Sequence, residues 1–93
     1  MSLGLINPKG LFKKVKNKPT RRRYVVSTIR KEGDLFETAV FEANFFYLPR
    51  NWRVPALVLK FNSKDEAWNS HHRLAARLLK EIPSRLFQDM AGA

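Results

Sequence analysis

The chain has 93 residues, no cysteine and a formal net charge of +10. Its length allows one small domain, the lack of cysteine excludes a disulfide framework, and no apolar run approaches the roughly twenty residues of a membrane-spanning helix. Residues 1–31 contain ten basic residues and no acidic one, whereas the rest of the chain is formally neutral. This asymmetry indicates that the protein binds a partner and does not point to a reaction.

Residues 1–21 are predicted to form an extended basic arm, because glycines and prolines interrupt every helix or strand pattern in this segment. The basic side chains predicted to contact a polyanion or an acidic protein surface are Lys9, Lys13, Lys14, Lys16, Lys18, Arg21, Arg22 and Arg23. Apolar residues are spaced among the lysines, and we expect them to dock into apolar grooves of a neighbouring molecule: Leu3, Leu5, Ile6, Leu11 and Phe12.

Three interpretations of this arm remain open. Contact with nucleic-acid phosphates would release counterions and make binding steeply dependent on salt. Docking onto an acidic protein surface inside an assembly would also use the apolar residues, which a pure phosphate binder does not require. The third interpretation is a solvated tail that only keeps the protein soluble.

Residues 22–93 are predicted to form a single small α+β domain. Residues 22–30 are rich in β-branched and aromatic types and predict a strand, and the turn at 31–34 contains Gly33. Residues 35–47 alternate in polarity and predict a second strand, paired with the first as an antiparallel hairpin. The more uniformly apolar row of this second strand is assigned to the core: Leu35, Glu37, Ala39, Phe41, Ala43 and Phe45.

A candidate interface loop follows, delimited by Pro49 and Pro55 and containing Arg50, Trp52 and Arg53. An aromatic ring between arginines is suited to stacking on nucleic-acid bases or to serving as an anchor in a protein interface. The alternative is that the tryptophan folds back as a lid on the edge of the sheet.

The second half of the domain predicts a third strand at 56–61 and then a helix. Ser63 and Glu66 have the spacing of a capping box, which predicts that the helix starts at residue 64, and Pro83 ends it. The apolar stripe of this helix comprises Ala67, Trp68, His71, Leu74, Ala75, Leu78, Leu79 and Ile82. The predicted fold is therefore α+β: a small three-stranded antiparallel sheet with one C-terminal helix packed on a face, preceded by the extended basic arm.

No group of residues suggests catalysis. His71 and His72 are neighbours in the predicted helix, where successive side chains point about 100° apart, so they form a poor metal chelate. The sequence shows no nucleophile with a base, no glycine-rich phosphate loop and no metal-ligand spacing. We therefore expect a protein that is not an enzyme, with no cofactor, no metal and no small-molecule substrate.

Two stretches resemble short proteins of tailed bacteriophages whose role is unassigned. The first is Phe-Glu-Thr-Ala-Val-Phe at 36–41, and the second is Phe-Asn-Ser-Lys-Asp-Glu-Ala at 61–67, followed by His71 and His72. Those proteins have a strand with a Glu-Thr-x-x-Phe element, a second strand, and a helix with a Ser/Thr-x-x-Glu-Ala cap and a histidine. The resemblance covers residues 35–80 and implies a small structural component of a virion.

The first functional hypothesis is a non-catalytic structural component of a large assembly, such as a phage virion, that docks through its basic, apolar-studded arm. Its partners would be protein subunits, including copies of itself. The alternative is a DNA- or RNA-binding protein of nucleoid or ribosomal type, in which the arm contacts phosphates. The expected location is the virion or the host cytoplasm, without a secretion signal peptide, a transmembrane segment or a membrane partner.

Overall fold

A computed structural model describes residues 10–92 of the chain. The strands are β1 (Gly10–Lys16), β2 (Arg23–Arg30), β3 (Phe36–Ala43) and β4 (Leu57–Phe61), and the helices are α1 (Lys64–Lys80) and α2 (Pro83–Ala91). The four strands form one antiparallel sheet in the order β1-β2-β3-β4, so each strand pairs with its neighbour in the chain. Neither helix is long and apolar enough to cross a membrane.

The predicted fold class was wrong in its numbers of strands and helices, since the sheet has four strands and two helices follow it. The additional strand, β1, lies within the segment predicted to be an extended arm. Val15 of β1 pairs with Tyr24, and both side chains are buried in the core. Gly10 pairs with Ile29, and a Cβ atom at Gly10 would lie 2.5 Å from the carbonyl oxygen of Thr28. This glycine therefore marks a close approach of two strands and not a break in structure.

The turn between β1 and β2 is attached to the C-terminal end of α1 through Asn17. The side-chain amide of Asn17 donates hydrogen bonds to the carbonyl oxygens of Leu78 (2.6 Å) and Glu81 (2.7 Å). The backbone N–H of Lys18 donates to the carbonyl oxygen of Leu79 at 2.9 Å. The last carbonyl groups of a helix have no partner within the helix, so the turn satisfies three of these groups and fixes β1 to α1.

The side of β3 that faces the helices is the opposite of the predicted one: it carries Phe36, Thr38 and Val40. Phe36 packs edge-on against Trp68 of α1, with the ring centroids 5.5 Å apart. Thr38 shares a 2.6 Å hydrogen bond with Thr28 of β2. The sequence pattern was ambiguous because both rows of β3 contain buried apolar residues, with Phe41 buried on the face away from the helices.

The helices confirm the predicted cap and add one element. Ser63 accepts a hydrogen bond from the backbone N–H of Glu66 at 3.3 Å, so α1 begins where the capping box predicts. Pro83 ends α1, but it also occupies the first turn of α2, a position that proline favours. The second helix forms because Leu86 is fully buried in the common core. That core consists of Val15, Tyr24, Val26, Val40, Leu57, Leu74, Ala75, Leu78 and Leu86.

Candidate functional site

Neither of the helices within residues 10–92 covers one face of the sheet, which we call the helix-free face. Side chains alternate between the two faces of a strand. Thr28 of β2 is hydrogen-bonded to His71 of α1, so the even-numbered residues of β2 face the helices. The odd-numbered residues of β2 therefore belong to the helix-free face. The strand register then places the following side chains on it: Phe12, Lys14, Lys16, Arg23, Val25, Ser27, Ile29, Glu37, Ala39, Phe41, Ala43, Val58 and Lys60.

Residues 44–56, which join β3 to β4, form what we call the aromatic loop. Asn44 organises its first turn, because its side-chain oxygen accepts hydrogen bonds from the backbone N–H groups of Phe46 (2.8 Å) and Leu48 (3.1 Å). The turn leaves Phe45 69% and Phe46 73% exposed. Leu48, Trp52 and Val54 are also exposed. Exposed apolar side chains grouped in this way are typical of a binding surface.

The aromatic loop contacts the helix-free face through its rings. The Trp52 ring lies 5.1 Å from the ring of Phe41 and is tilted by 59°, while 59% of Trp52 stays exposed. The guanidinium of Arg23 lies 4.6 Å from the centroid of the Phe45 ring and 5.7 Å from that of Tyr47. Trp52 thus packs over an inner strand and still offers much of its surface to a partner.

Basic side chains are grouped on β1, the turn after it and the start of β2, and we call this group the basic strand surface: Lys13, Lys14, Lys16, Lys18, Arg21 and Arg23. Lys14, Lys16 and Arg23 lie on the helix-free face, Lys18 and Arg21 lie in the turn, and Lys13 lies opposite Val26 on the side of the helices. Five of these residues are exposed, and Arg23 is partly exposed beside the aromatic rings. Within residues 10–92, no carboxylate forms an ion pair with any of the six. Their charges are therefore available to an external anion.

Other predicted contact residues have different surroundings. Arg22 and Arg50 both lie 3.9 Å from Glu42, so these two cations share one carboxylate. Arg53 is exposed in the aromatic loop. Four predicted residues, Lys9, Leu3, Leu5 and Ile6, lie outside the described residues.

The apolar residues of the predicted arm that fall within residues 10–92 divide between the two faces of β1. Leu11 lies opposite Thr28, on the side of the helices, and is half-buried. Phe12 lies opposite Ser27 on the helix-free face and is 60% exposed. Of this pair, Phe12 is the one placed to contact a partner.

His71 is a buried core residue outside this surface. Its Nδ1 atom shares a 2.8 Å hydrogen bond with the hydroxyl of Thr28, which in turn is bonded to Thr38. Burial, together with the smaller effect of the neighbouring charges of His72 and Lys13, lowers the pKa of His71 to about 4. The imidazole is therefore neutral at pH 7. No group of three potential metal ligands is brought together within residues 10–92.

The sequence prediction missed most of the exposed aromatic loop. Phe45 was assigned to the core and 44–47 to a strand, whereas β3 ends at Ala43 and a turn follows. The available signal was Asn44, because asparagine side chains often bond the backbone two residues further on and terminate extended structure.

No protein-family model, curated protein or solved structure matches this chain.

Proposed function

We propose that this protein is a non-catalytic nucleic-acid-binding protein that holds phosphates on the basic strand surface, beside the aromatic loop. The single observation that carries this proposal is the basic strand surface itself, six cations with no ion pair among residues 10–92. Phosphates attract such a surface over several ångströms, and release of their counterions drives binding.

The placement of the apolar residues favours phosphates over apolar docking by an arm. Val15 is buried in the protein's own core and Leu11 is half-buried on the helix side. Lys13, Lys14 and Lys16 on the same strand remain exposed. Apart from the exposed Phe12, strand β1 therefore uses its apolar residues internally and presents charge to the outside.

Salt dependence tests this proposal. If the five cations other than Lys13 meet phosphates, the logarithm of the binding constant falls with the logarithm of the salt concentration with a slope of about −3.5 to −4.5. The double substitution Lys14→Gln and Lys16→Gln should reduce the magnitude of this slope by about 1.5, since each lost phosphate contact removes 0.7 to 0.9. The measurement is fluorescence anisotropy of a labelled oligonucleotide over a salt series.

The matched control removes the same charge from another surface. Arg73 and Arg85 are exposed on the two helices, and neither forms an ion pair within residues 10–92. Arg73→Gln with Arg85→Gln should leave the slope unchanged. Absence of binding at low salt, or equal losses in the two double variants, would contradict the proposal.

The second candidate function is a structural component of a larger assembly, such as a phage particle. Leu48 and Val54 favour it, because they are exposed aliphatic residues that have no role in stacking on bases. If the partners include copies of the same chain, sedimentation velocity should show oligomers that grow with protein concentration. Leu48→Ser with Val54→Ser should shift the sample towards the monomer. A monomer at every concentration would rule out self-assembly.

A further inference from the structure

The geometry points to single-stranded nucleic acid as the ligand of the helix-free face, with bases stacked on the rings of the aromatic loop and phosphates on Lys14, Lys16 and Arg23. This inference rests on the proposed nucleic-acid binding and specifies which form of nucleic acid is bound and where it lies. Its basis is that cations and exposed rings occur side by side on one surface.

The basic side chains lie within a few ångströms of the aromatic rings on this surface. Arg23 lies 4.6 Å from the ring of Phe45, and Lys14 lies 5.8 Å from the ring of Tyr47. A single strand presents phosphates and unpaired base faces together, and it matches a surface that alternates charge with rings. A duplex hides its base faces in the helical stack and would leave these rings without a partner.

The charge of the helix-free face also suits a nucleic-acid strand. Val25, Ser27 and Phe41 at its centre are buried, so a ligand would contact the exposed side chains of β1, such as Phe12 and Lys14, and the rings of the aromatic loop. Among residues 10–92, the carboxylate of this face is Glu37, which pairs with Lys31 at 3.8 Å. Glu37 lies at the end of β3 opposite to Ala43, away from the aromatic loop.

Charge complementarity and the rings together identify the occupant. An acidic peptide would satisfy Lys14, Lys16 and Arg23, but it offers a planar ring only where it contains an aromatic residue. A nucleic acid offers a planar base in every nucleotide for the rings of Phe46 and Trp52, which are 73% and 59% exposed. Nucleobases are planar and stack on such rings irrespective of sequence. We expect a site of roughly four to six nucleotides with little sequence preference, at the lower end of the range for small single-strand binders.

The test compares labelled oligonucleotides of about 12 nucleotides, which exceed the proposed site. The probes are oligo-dT, oligo-U and a DNA duplex of the same length, measured by anisotropy with the full chain. We expect the single strands to bind at least about tenfold more tightly than the duplex. A comparison of the affinities for oligo-dT and oligo-U shows whether DNA or RNA is preferred.

Ring substitutions test the stacking directly. Trp52→Leu and Phe45→Leu keep an apolar side chain but remove the ring, and each should weaken single-strand binding about 5- to 100-fold. The salt slope should stay unchanged, because no cation is lost. Leu48→Ala in the same loop is the matched control and should bind like the unaltered protein.

Tryptophan fluorescence gives an independent readout of the same contact. The chain has two tryptophans, and Trp68 packs against Phe36 in the core. The variant Trp68→Phe leaves Trp52 as the sole reporter, and stacking on a base should quench its emission as oligo-dT is added. Unchanged emission at saturating oligonucleotide would overturn the stacking geometry.

The possible outcomes distinguish the inference of single-strand binding from the proposed nucleic-acid binding on which it rests. Binding to none of the probes would overturn both. Equal affinity for duplex and single strands, with no effect of the ring substitutions, would overturn this inference and leave nucleic-acid binding intact. Binding of poly-glutamate as tight as that of oligo-dT, with the same loss in Trp52→Leu, would overturn it in favour of an acidic protein partner.

Discussion

At the scale of single residues, His71 links the core of the protein to the pH of the solution. Its ring is buried, is held by Thr28, and is neutral in the folded state because its pKa is about 4. In the unfolded chain the same group has an ordinary pKa near 6.5. Between these two values the unfolded chain binds a proton that the folded protein does not bind, so stability falls as the pH decreases from about 6.5 to about 4.

We predict that the free energy of unfolding decreases by about 2 kcal/mol between pH 7 and pH 5, since each unit of pKa difference corresponds to about 1.4 kcal/mol. Urea denaturation at the two pH values measures it. His71→Asn keeps a hydrogen-bonding atom near Thr28 but does not titrate, so it should lose most of this pH dependence. His72→Asn, at the exposed neighbouring position, should retain most of it. Equal stability of the unaltered protein at both pH values would refute the prediction.

At the scale of elements, the attachment of β1 to α1 depends on one side chain. Asn17 is fully buried and donates to two carbonyl groups at the end of α1. Removal of a buried donor leaves its acceptors without partners, which costs more than the net value of the hydrogen bonds. The basic strand surface begins in β1 and continues through the turn that contains this residue, so its geometry depends on the same attachment.

We predict that Asn17→Ala lowers the free energy of unfolding by about 2 to 4 kcal/mol. The variant loses two hydrogen bonds donated to the carbonyl groups of Leu78 and Glu81 and two accepted from the backbone N–H and the hydroxyl of Thr20. Chemical denaturation followed by circular dichroism measures the change. Asn51→Ala is the matched control, because Asn51 also accepts a backbone hydrogen bond, from Arg53, but lies exposed in the aromatic loop. Its effect should stay near 0.5 kcal/mol. Similar losses for both variants would contradict the role assigned to Asn17.

At the scale of the whole molecule, local signals predicted some elements well and tertiary contacts decided the rest. The capping box at Ser63 and the turn at Gly33 act through neighbouring residues, and the structure contains the predicted start of α1 and the hairpin of β2 with β3. Strand β1 was not predicted because glycines and prolines punctuate this segment, which indicated an extended arm. Its stability comes from pairing with β2 and from Asn17, contacts that no local pattern reveals.

The candidate site could be predicted only in part for the same reason. The arginines around Trp52 indicated a candidate interface loop, and the charge asymmetry indicated a partner that is either a polyanion or an acidic protein surface. Their juxtaposition depends on the fold, because Arg23 and Phe45 meet only when the aromatic loop lies over the end of β2. The sequence therefore indicates candidate contact residues, and the structure shows that Arg23 and Phe45 lie side by side.

The hydrogen bonds of Asn17 also have a consequence for the order of folding. They join residues 61 and 64 positions apart, so most of the chain must be present before they form. Closing so long a loop is entropically unfavourable until the rest of the molecule is organised. During synthesis β1 is made before α1, so these hydrogen bonds form only after residues 78–81 have appeared. The surface that we propose for nucleic acid thus acquires its geometry only when the end of α1 is present.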